Sequence, residues 1–264
     1  GSLCAVFFLS GAAALIFETL WFRQAGLSFG NGVWASSIVL ASFMTGLAIG
    51  NGLAAWLGAR IRRPVHFYVL LEVIIGAVGC ALVWVLPVLT GGLTRVLAPF
   101  LEQPWLLNSL RLLFAFLLLV IPATAMGATL PVLVKALRAR DPSFGSALGR
   151  LYGWNTLGAV VGAVAGDAVL IEWLGIRGTA LAAAGGNFAA ALAAFLIARR
   201  FEVAAFAPAE TAREPAAISS RGRRCLAAAM LSGGTFLALE VVWFRFLHLF
   251  VHSGSEGNLT QLSL

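Results

Sequence analysis

Residues 3–29 read LCAVFFLSGAAALIFETLWFRQAGLSF, an apolar run that contains one acid, Glu18, and one base, Arg23. The hydrocarbon core of a bilayer is about 30 Å thick, and about 20 apolar residues in an α-helix cross it. The run of residues 3–29 is longer than this minimum, and Glu18 lies well away from both of its ends. The run therefore predicts a transmembrane helix with a carboxyl group within the membrane.

The composition of the whole chain agrees with this first run. Of the 264 residues, 60% are hydrophobic and 11% are charged, whereas roughly 25% are charged in soluble domains. So few charges cannot cover a water-exposed surface, which excludes an ordinary soluble enzyme domain. The net charge of +7 comes from short basic clusters between apolar runs, which is typical of membrane orientation and not of a nucleic-acid-binding face. The expected environment is the lipid bilayer, with no nucleic acid partner.

Six further apolar runs meet or approach the length of a membrane span. They cover residues 33–59, 65–90, 106–136, 144–171, 178–198 and 225–251. The fourth of the seven runs contains Pro122 and Pro131, so we expect a kink there. The predicted fold class is an all-α integral membrane protein, a polytopic helical bundle.

Basic residues alternate between the connections of these runs. The connections after the second, fourth and sixth runs are basic; they contain Arg60, Arg62, Arg63, then Lys135, Arg138, Arg140, and finally the arginines of residues 199–224. The other connections contain only Arg95 and Arg177. Because cytoplasmic loops carry the excess of Lys and Arg, we expect a multi-pass protein of the bacterial inner membrane with a cytoplasmic N-terminus.

An internal repeat divides the chain. Residues 9–23, LSGAAALIFETLWFR, and residues 231–245, LSGGTFLALEVVWFR, are identical at eight of fifteen positions. Both copies start on the predicted cytoplasmic side, so the repeats are parallel, as in major facilitator transporters. We expect a first six-helix repeat over residues 1–198, a basic cytoplasmic linker over 199–224, and the start of a second repeat over 225–264, with helix seven and the beginning of helix eight. The chain then reads as part of a longer protein.

The repeat carries its charges at matching positions: Glu18 and Arg23 in the first copy, Glu240 and Arg245 in the second. Five residues correspond to about 140° around a helix, so the acid and the base of one copy are placed to bind groups on other helices. The functional interpretation is proton coupling or binding of a charged substrate, since intramembrane acids are costly and face the bundle interior or a water-filled path. The alternative is a structural ion pair between helices.

Two other acids, Glu72 and Asp167, are further candidates for substrate or proton binding, with Asn155 and Asn187 as polar residues nearby in the helices. We expect Glu72 to lie about one-third of the way along its helix, near the interface, and Asp167 to lie near the outer end of the fifth helix. A structural alternative applies to both, because either carboxyl can hydrogen-bond to helix backbones.

Glycines recur every four residues on two of the predicted helices. Such spacing lets membrane helices approach closely, so we predict helix-packing faces at these positions: Gly46, Gly50, Gly58, Gly158, Gly162 and Gly166. The chain contains no P-loop, no dinucleotide-binding glycine fingerprint after a strand, no His-Glu-x-x-His and no Gly-x-Ser-x-Gly. We therefore expect no catalytic residue, no metal site and no cofactor within residues 1–264.

Five stretches carry a family resemblance: residues 9–23, 46–50, 60–64, 126–131 (MGATLP) and 149–159 (GRLYGWNTLGA). They resemble bacterial membrane proteins in which major-facilitator-like helices precede a spermidine synthase-like domain. Residues 60–64 also resemble the loop motif between helices two and three of major facilitator transporters. That motif has an acid before its first arginine, where this chain has Ala59. The usual contact of that acid is therefore not expected here, which argues against transport.

The resemblance implies a transporter-like transmembrane domain, with a polyamine or another cationic solute as the expected cargo. Two alternatives stay open. The helices form a membrane anchor or an accessory subunit of a larger membrane complex, or they tether an aminopropyltransferase-like enzyme whose catalytic domain lies outside this chain. The implied partners are the bilayer, a downstream soluble transferase-like domain and other membrane subunits.

Overall fold

A computed structural model describes residues 2–29, 33–100, 103–138, 144–201 and 219–250. Within those ranges every element is helical and no strand occurs, which confirms the all-helical class. The long helices are α1 (Ser2–Phe29), α2 (Val33–Leu57), α3 (Pro64–Leu97), α4 (Pro104–Arg138), α5 (Phe144–Ala165), α6 (Ile171–Phe201) and α7 (Ser220–Phe250). A 3₁₀ turn follows α3 at Ala98–Phe100, and a π-helical segment, Gly166–Leu170, joins α5 to α6. The beginning of helix eight and most of the predicted linker lie outside the described residues.

Five segments are long and apolar enough to cross a membrane: Ser2–Gln24, Val39–Leu57, Pro64–Leu89, Trp105–Ala136 and Leu148–Arg199. The last of them covers both α5 and α6. Large apolar side chains such as Val88, Trp105 and Val164 are exposed on these helices, as expected where lipid replaces water as the solvent. The segments indicate a membrane-embedded protein.

The chain divides into two compact units, Gly1–Ala209 and Glu210–Leu264. In the first unit the most extensive helix contacts are α2 with α4, α1 with α5, and α3 with α6, followed by α3 with α4 and α1 with α6. Helix α1 therefore lies among α3, α5 and α6, and its Phe17, Leu20 and Trp21 are fully buried. The second unit contains α7.

A side chain of α1 replaces the hydrogen bond that a proline removes from α3. Pro87 lacks an N–H, so the carbonyl of Val83, four residues earlier, loses its helical hydrogen bond. The side-chain amide of Gln24 on α1 donates to that carbonyl at 2.8 Å. One turn earlier, the indole N–H of Trp21 donates to the carbonyl of Gly79 at 3.3 Å. The two bonds join α1 to α3, and the bond from Gln24 satisfies a carbonyl that lipid cannot.

The predicted connection between the fifth and sixth runs, residues 172–177, is mostly helical. The π-helical segment carries the chain from α5 directly into α6, and the helix is interrupted at Gly175, which has φ 65° and ψ 179°. Only glycine adopts that backbone conformation readily. A short break at one glycine thus replaces the expected six-residue loop.

Candidate functional site

Two of the predicted site residues meet between α1 and the π-helical segment. The Nη2 of Arg23 lies 3.0 Å from the Oδ1 of Asp167, and the two side chains are 45% and 63% exposed. The widened turn of the π-helical segment holds Asp167, and π-bulges often occur at functional positions. Gly166 brings the segment close to α1, because a Cβ at that position would lie 3.3 Å from the Cγ1 of Ile16. The pair is an exposed ion pair that ties the end of α1 to the α5–α6 junction.

The first intramembrane acid, Glu18, lies on α1 within the membrane-spanning segment Ser2–Gln24 and is half-buried. Its counterpart Glu240 lies on α7 in the second unit, where its side chain is exposed. Arg245 continues α7, and its side chain lies outside the described part of the chain. The described residues therefore place the two copies of the repeated acid on separate helices of separate units.

The carboxyl of Glu72 is the most enclosed acid among the described residues. Its side chain is 0% exposed. The hydroxyl of Ser10 on α1 donates to its Oε1 at 2.5 Å, and the amide of Asn187 on α6 donates to its Oε2 at 2.6 Å. Helix α3 thus presents this carboxyl to both neighbouring helices, and its two oxygens each accept one hydrogen bond.

Tyr68 adds a hydroxyl to the same place. It precedes Glu72 by one turn of α3 and is fully buried. Its hydroxyl is within reach of Ser10 and Glu72, but the geometry does not complete a hydrogen bond. The Oδ1 of Asn187 is also buried without a partner. We call Ser10, Tyr68, Glu72 and Asn187 the Glu72 cluster.

The predicted packing glycines lie at two helix crossings. Gly46 and Gly50 of α2 face α4, where a Cβ at Gly50 would overlap the carbonyl of Thr124. Gly158 and Gly162 of α5 face α1, where the obstructing carbonyls belong to Phe8 and Ala12. Gly166 makes the looser contact described above. Gly58 lies in the turn after α2, and the atoms nearest to its position belong to Ala54 and Ala55 of α2 itself.

Lys135 fixes the connection between α2 and α3. Its ammonium group, near the end of α4, donates to the carbonyl of Gly58 and, at 2.7 Å, to the carbonyl of Ile61. A cation at the C-terminal end of a helix interacts favourably with the free carbonyls there. The sequence predicts only a cytoplasmic location for Lys135, because its acceptors are backbone carbonyls of a turn that is distant along the chain.

A shallow groove of about 300 Å³ runs between α2 and α4. Its lining is mainly apolar with three hydroxyls, and consists of Ala41, Ser42, Thr45, Ser109, Leu113 and Phe116. The hydroxyls of Thr45 and Ser109 donate to carbonyls of their own helices. The groove therefore offers a ligand mostly apolar contact, and it contains none of the predicted site residues.

Within the ranges that the structure describes, no three His, Cys, Asp or Glu side chains come together in a way that could hold a metal ion. The Glu72 cluster, the Arg23–Asp167 ion pair and the half-buried Glu18 are the candidate features among the acids of the first unit. Comparison of the chain with protein-family models, with curated proteins and with solved structures found no match.

Proposed function

We propose that this chain is a transporter-like membrane domain, with one major-facilitator-like repeat in α1 to α6 and the start of the next repeat in α7. The pattern of helix contacts supports this architecture. Exchanging α1 with α4, α2 with α5 and α3 with α6 turns the α1–α5 contact into the α4–α2 contact, and the α1–α6 contact into the α4–α3 contact. The α3–α6 contact maps onto itself. Each half of a major facilitator transporter is built from such a pair of inverted three-helix repeats.

Two glycine contacts support the same exchange at the level of residues. Gly162 lies 112 residues after Gly50, and Thr124 lies 112 residues after Ala12. Gly50 approaches the carbonyl of Thr124, and Gly162 approaches the carbonyl of Ala12. At the level of Gly50 and Gly162 the two crossings therefore correspond at one constant spacing along the chain.

The expected cargo is a polyamine or another cationic solute, with Glu18 and Glu240 as the binding carboxylates. The observation that carries this proposal is the half-buried Glu18 in a membrane-spanning segment, together with its repetition as Glu240 in the same local sequence. A carboxyl group within a membrane is costly and is usually retained for a function. The guanidinium of Arg23 has an ion-pair partner in Asp167, so its charge is already balanced. Two carboxylates, one from each repeat, would each attract a cationic solute.

Uptake of radiolabelled spermidine by liposomes that contain the full-length protein tests this proposal. We expect the double variant Glu18→Gln, Glu240→Gln to reduce uptake to the level of empty liposomes, since glutamine keeps the size of the side chain and removes its charge. Glu172→Gln is the matched control, because it removes an exposed carboxyl from α6. Undiminished uptake in the double variant would contradict the assignment.

A second candidate is a membrane scaffold that anchors an enzyme or another subunit without transport. The observation that favours it is the connection between α2 and α3, where Ala59 replaces the acid of the transporter motif and Lys135 holds the turn to α4 instead. Purification from native membranes under mild detergent distinguishes the candidates. A stoichiometric partner together with absent spermidine uptake would favour the scaffold, and uptake by the isolated protein would exclude it as the sole role.

A further inference from the structure

The Glu72 cluster is a polar site enclosed by three helices. Ser10 comes from α1, Tyr68 and Glu72 from α3, and Asn187 from α6, and all four side chains are buried. The residues are distant in sequence, since Glu72 is separated from Ser10 by 62 positions and from Asn187 by 115. A carboxyl group placed here is enclosed by protein and has no contact with solvent.

Among the side chains that the structure describes, none that is cationic interacts with the carboxyl. Ser10, Tyr68 and Asn187 are the groups that interact with Glu72, and Tyr68 is the titratable one among them. The other charged or titratable side chains that the structure describes on α1, α3, α4 and α6 do not interact with Glu72. They are Cys4, Glu18, Arg23, His66, Cys80, Arg111, Lys135, Glu172, Arg177 and Arg199. An ionised Glu72 would therefore be held by neutral donors alone, which is unfavourable for a buried charge.

The cluster also holds two oxygen atoms without a hydrogen-bond partner, the hydroxyl oxygen of Tyr68 and the Oδ1 of Asn187. An ionised carboxylate only accepts hydrogen bonds, whereas a protonated carboxyl donates one. The protonated form needs an acceptor, and the two free oxygens supply it, Tyr68 directly and Asn187 after its amide group turns over. Rotation of these side chains therefore gives the Glu72 carboxyl an acceptor when the proton is bound, whereas Ser10 and Asn187 supply donors when it is released.

A metal ion fits this site poorly. Both carboxyl oxygens already have a donor atom at 2.5 and 2.6 Å, so an ion would have to displace Ser10 and Asn187 and separate the helices. A proton requires no such space. We propose that the Glu72 cluster is a buried proton-binding site, in which the carboxylate of Glu72 takes up a proton from water to become the neutral acid.

The site gives α1, α3 and α6 a shared hydrogen-bond pattern that depends on whether the proton is bound. The inference rests on the proposed transport function in one respect, that the bound proton is the ion coupled to movement of the cargo. Proton binding itself concerns only the four residues of the cluster.

Infrared difference spectroscopy of the full-length protein in liposomes, titrated with base, tests the site directly. We expect the carbonyl-stretch band of a protonated, buried carboxyl to be present at low pH and to disappear as the pH rises. The band should be absent in Glu72→Gln and retained in the matched control Glu172→Gln, which removes an exposed carboxyl. A wild-type spectrum without such a band at any pH, or an unchanged band in Glu72→Gln, overturns the proposal.

Ser10→Ala covers the case in which Glu72→Gln does not fold, because it keeps the carboxyl and removes one donor. The loss of this hydrogen bond should move the band to higher frequency while the band still disappears with base. A band in Ser10→Ala at the wild-type frequency overturns the assignment to Glu72.

Repeating the titration with sodium ions replaced by choline separates a proton from a metal ion. We expect the same titration curve in both salts. A band that responds to sodium at constant pH would indicate a cation site and overturn the proposal. Because the infrared band does not require transport, a titrating Glu72 in a protein that takes up no spermidine would reject the proposed function and leave the proton site intact.

Discussion

The ion pair between Arg23 and Asp167 is an exposed contact between residues of opposite charge. Both side chains keep about half of their surface or more accessible, so the attraction is weakened by the surrounding medium and by salt. The pair lies at the junction of α1 with the π-helical segment, where it aligns the segment more than it stabilises the bundle. This separates it from the Glu72 cluster, whose hydrogen bonds are fully enclosed.

A double-mutant cycle of Arg23→Gln and Asp167→Asn should give a coupling free energy of no more than about 1 kcal/mol. It should shrink as salt is added, because exposed charges are screened. The measurement is the unfolding of purified protein in mixed micelles by increasing anionic detergent, with Glu172→Gln as the control for loss of an exposed charge. A larger coupling that is insensitive to salt would show that the pair is enclosed in the membrane.

At the scale of the element, the proline of α3 and the glutamine of α1 form one structural unit. Pro87 frees the carbonyl of Val83, and Gln24 donates to it. We expect Gln24→Leu to destabilise the protein by about 1 kcal/mol or more, since it leaves a buried carbonyl without a donor. In a Pro87→Ala background the same change should cost less, because the restored backbone N–H satisfies Val83.

The same micelle unfolding experiment on the two single variants and the double variant measures this coupling. Strictly additive effects would show that the hydrogen bond contributes nothing. The single variant Pro87→Ala is the internal control, because it changes α3 and leaves Gln24 in place.

The helix crossings lead to a prediction for the glycines. Gly50→Ala and Gly162→Ala each place a Cβ against a backbone carbonyl of the neighbouring helix, and such overpacking costs about 1–3 kcal/mol. Gly52→Ala and Gly153→Ala are the matched controls on α2 and α5, since no atom lies within 4 Å of a Cβ there. Alanine favours helix more than glycine does, so the controls should keep or slightly raise the thermal stability. Equal stability of all four variants would refute close packing at the crossings.

At the scale of the whole molecule, the loop charges predict the direction in which the helices cross the membrane. A cysteine at Arg62, between α2 and α3, should react with a membrane-impermeant maleimide in inverted vesicles and not in intact cells. A cysteine at Gln103, before α4, should show the opposite pattern. Both positions are exposed, and the background needs Cys4, Cys80 and Cys225 replaced by alanine. Labelling with the two patterns exchanged would reverse the proposed orientation.

The sequence was sufficient for the class of the fold and for the positions of its helices. Long apolar runs predict helices directly, because in lipid every backbone N–H and C=O group must find its hydrogen-bond partner within its own segment. The partners of Glu72 could not be predicted, since Ser10 and Asn187 lie on other helices and meet it only through the rotation and register of three helices. The same reason applies to Lys135, whose acceptors are backbone carbonyls of a distant turn, and to the π-helical segment, which replaced an expected loop.

The bond from Gln24 to Val83 restricts how far α1 can shift along α3. Its acceptor lies at one level within α3, because Pro87 removes the helical donor of the carbonyl four residues earlier. A shift of α1 along α3 by one turn would leave the carbonyl of Val83 without a hydrogen-bond donor in an apolar medium. The bond therefore fixes the register of α1 along α3 at this level.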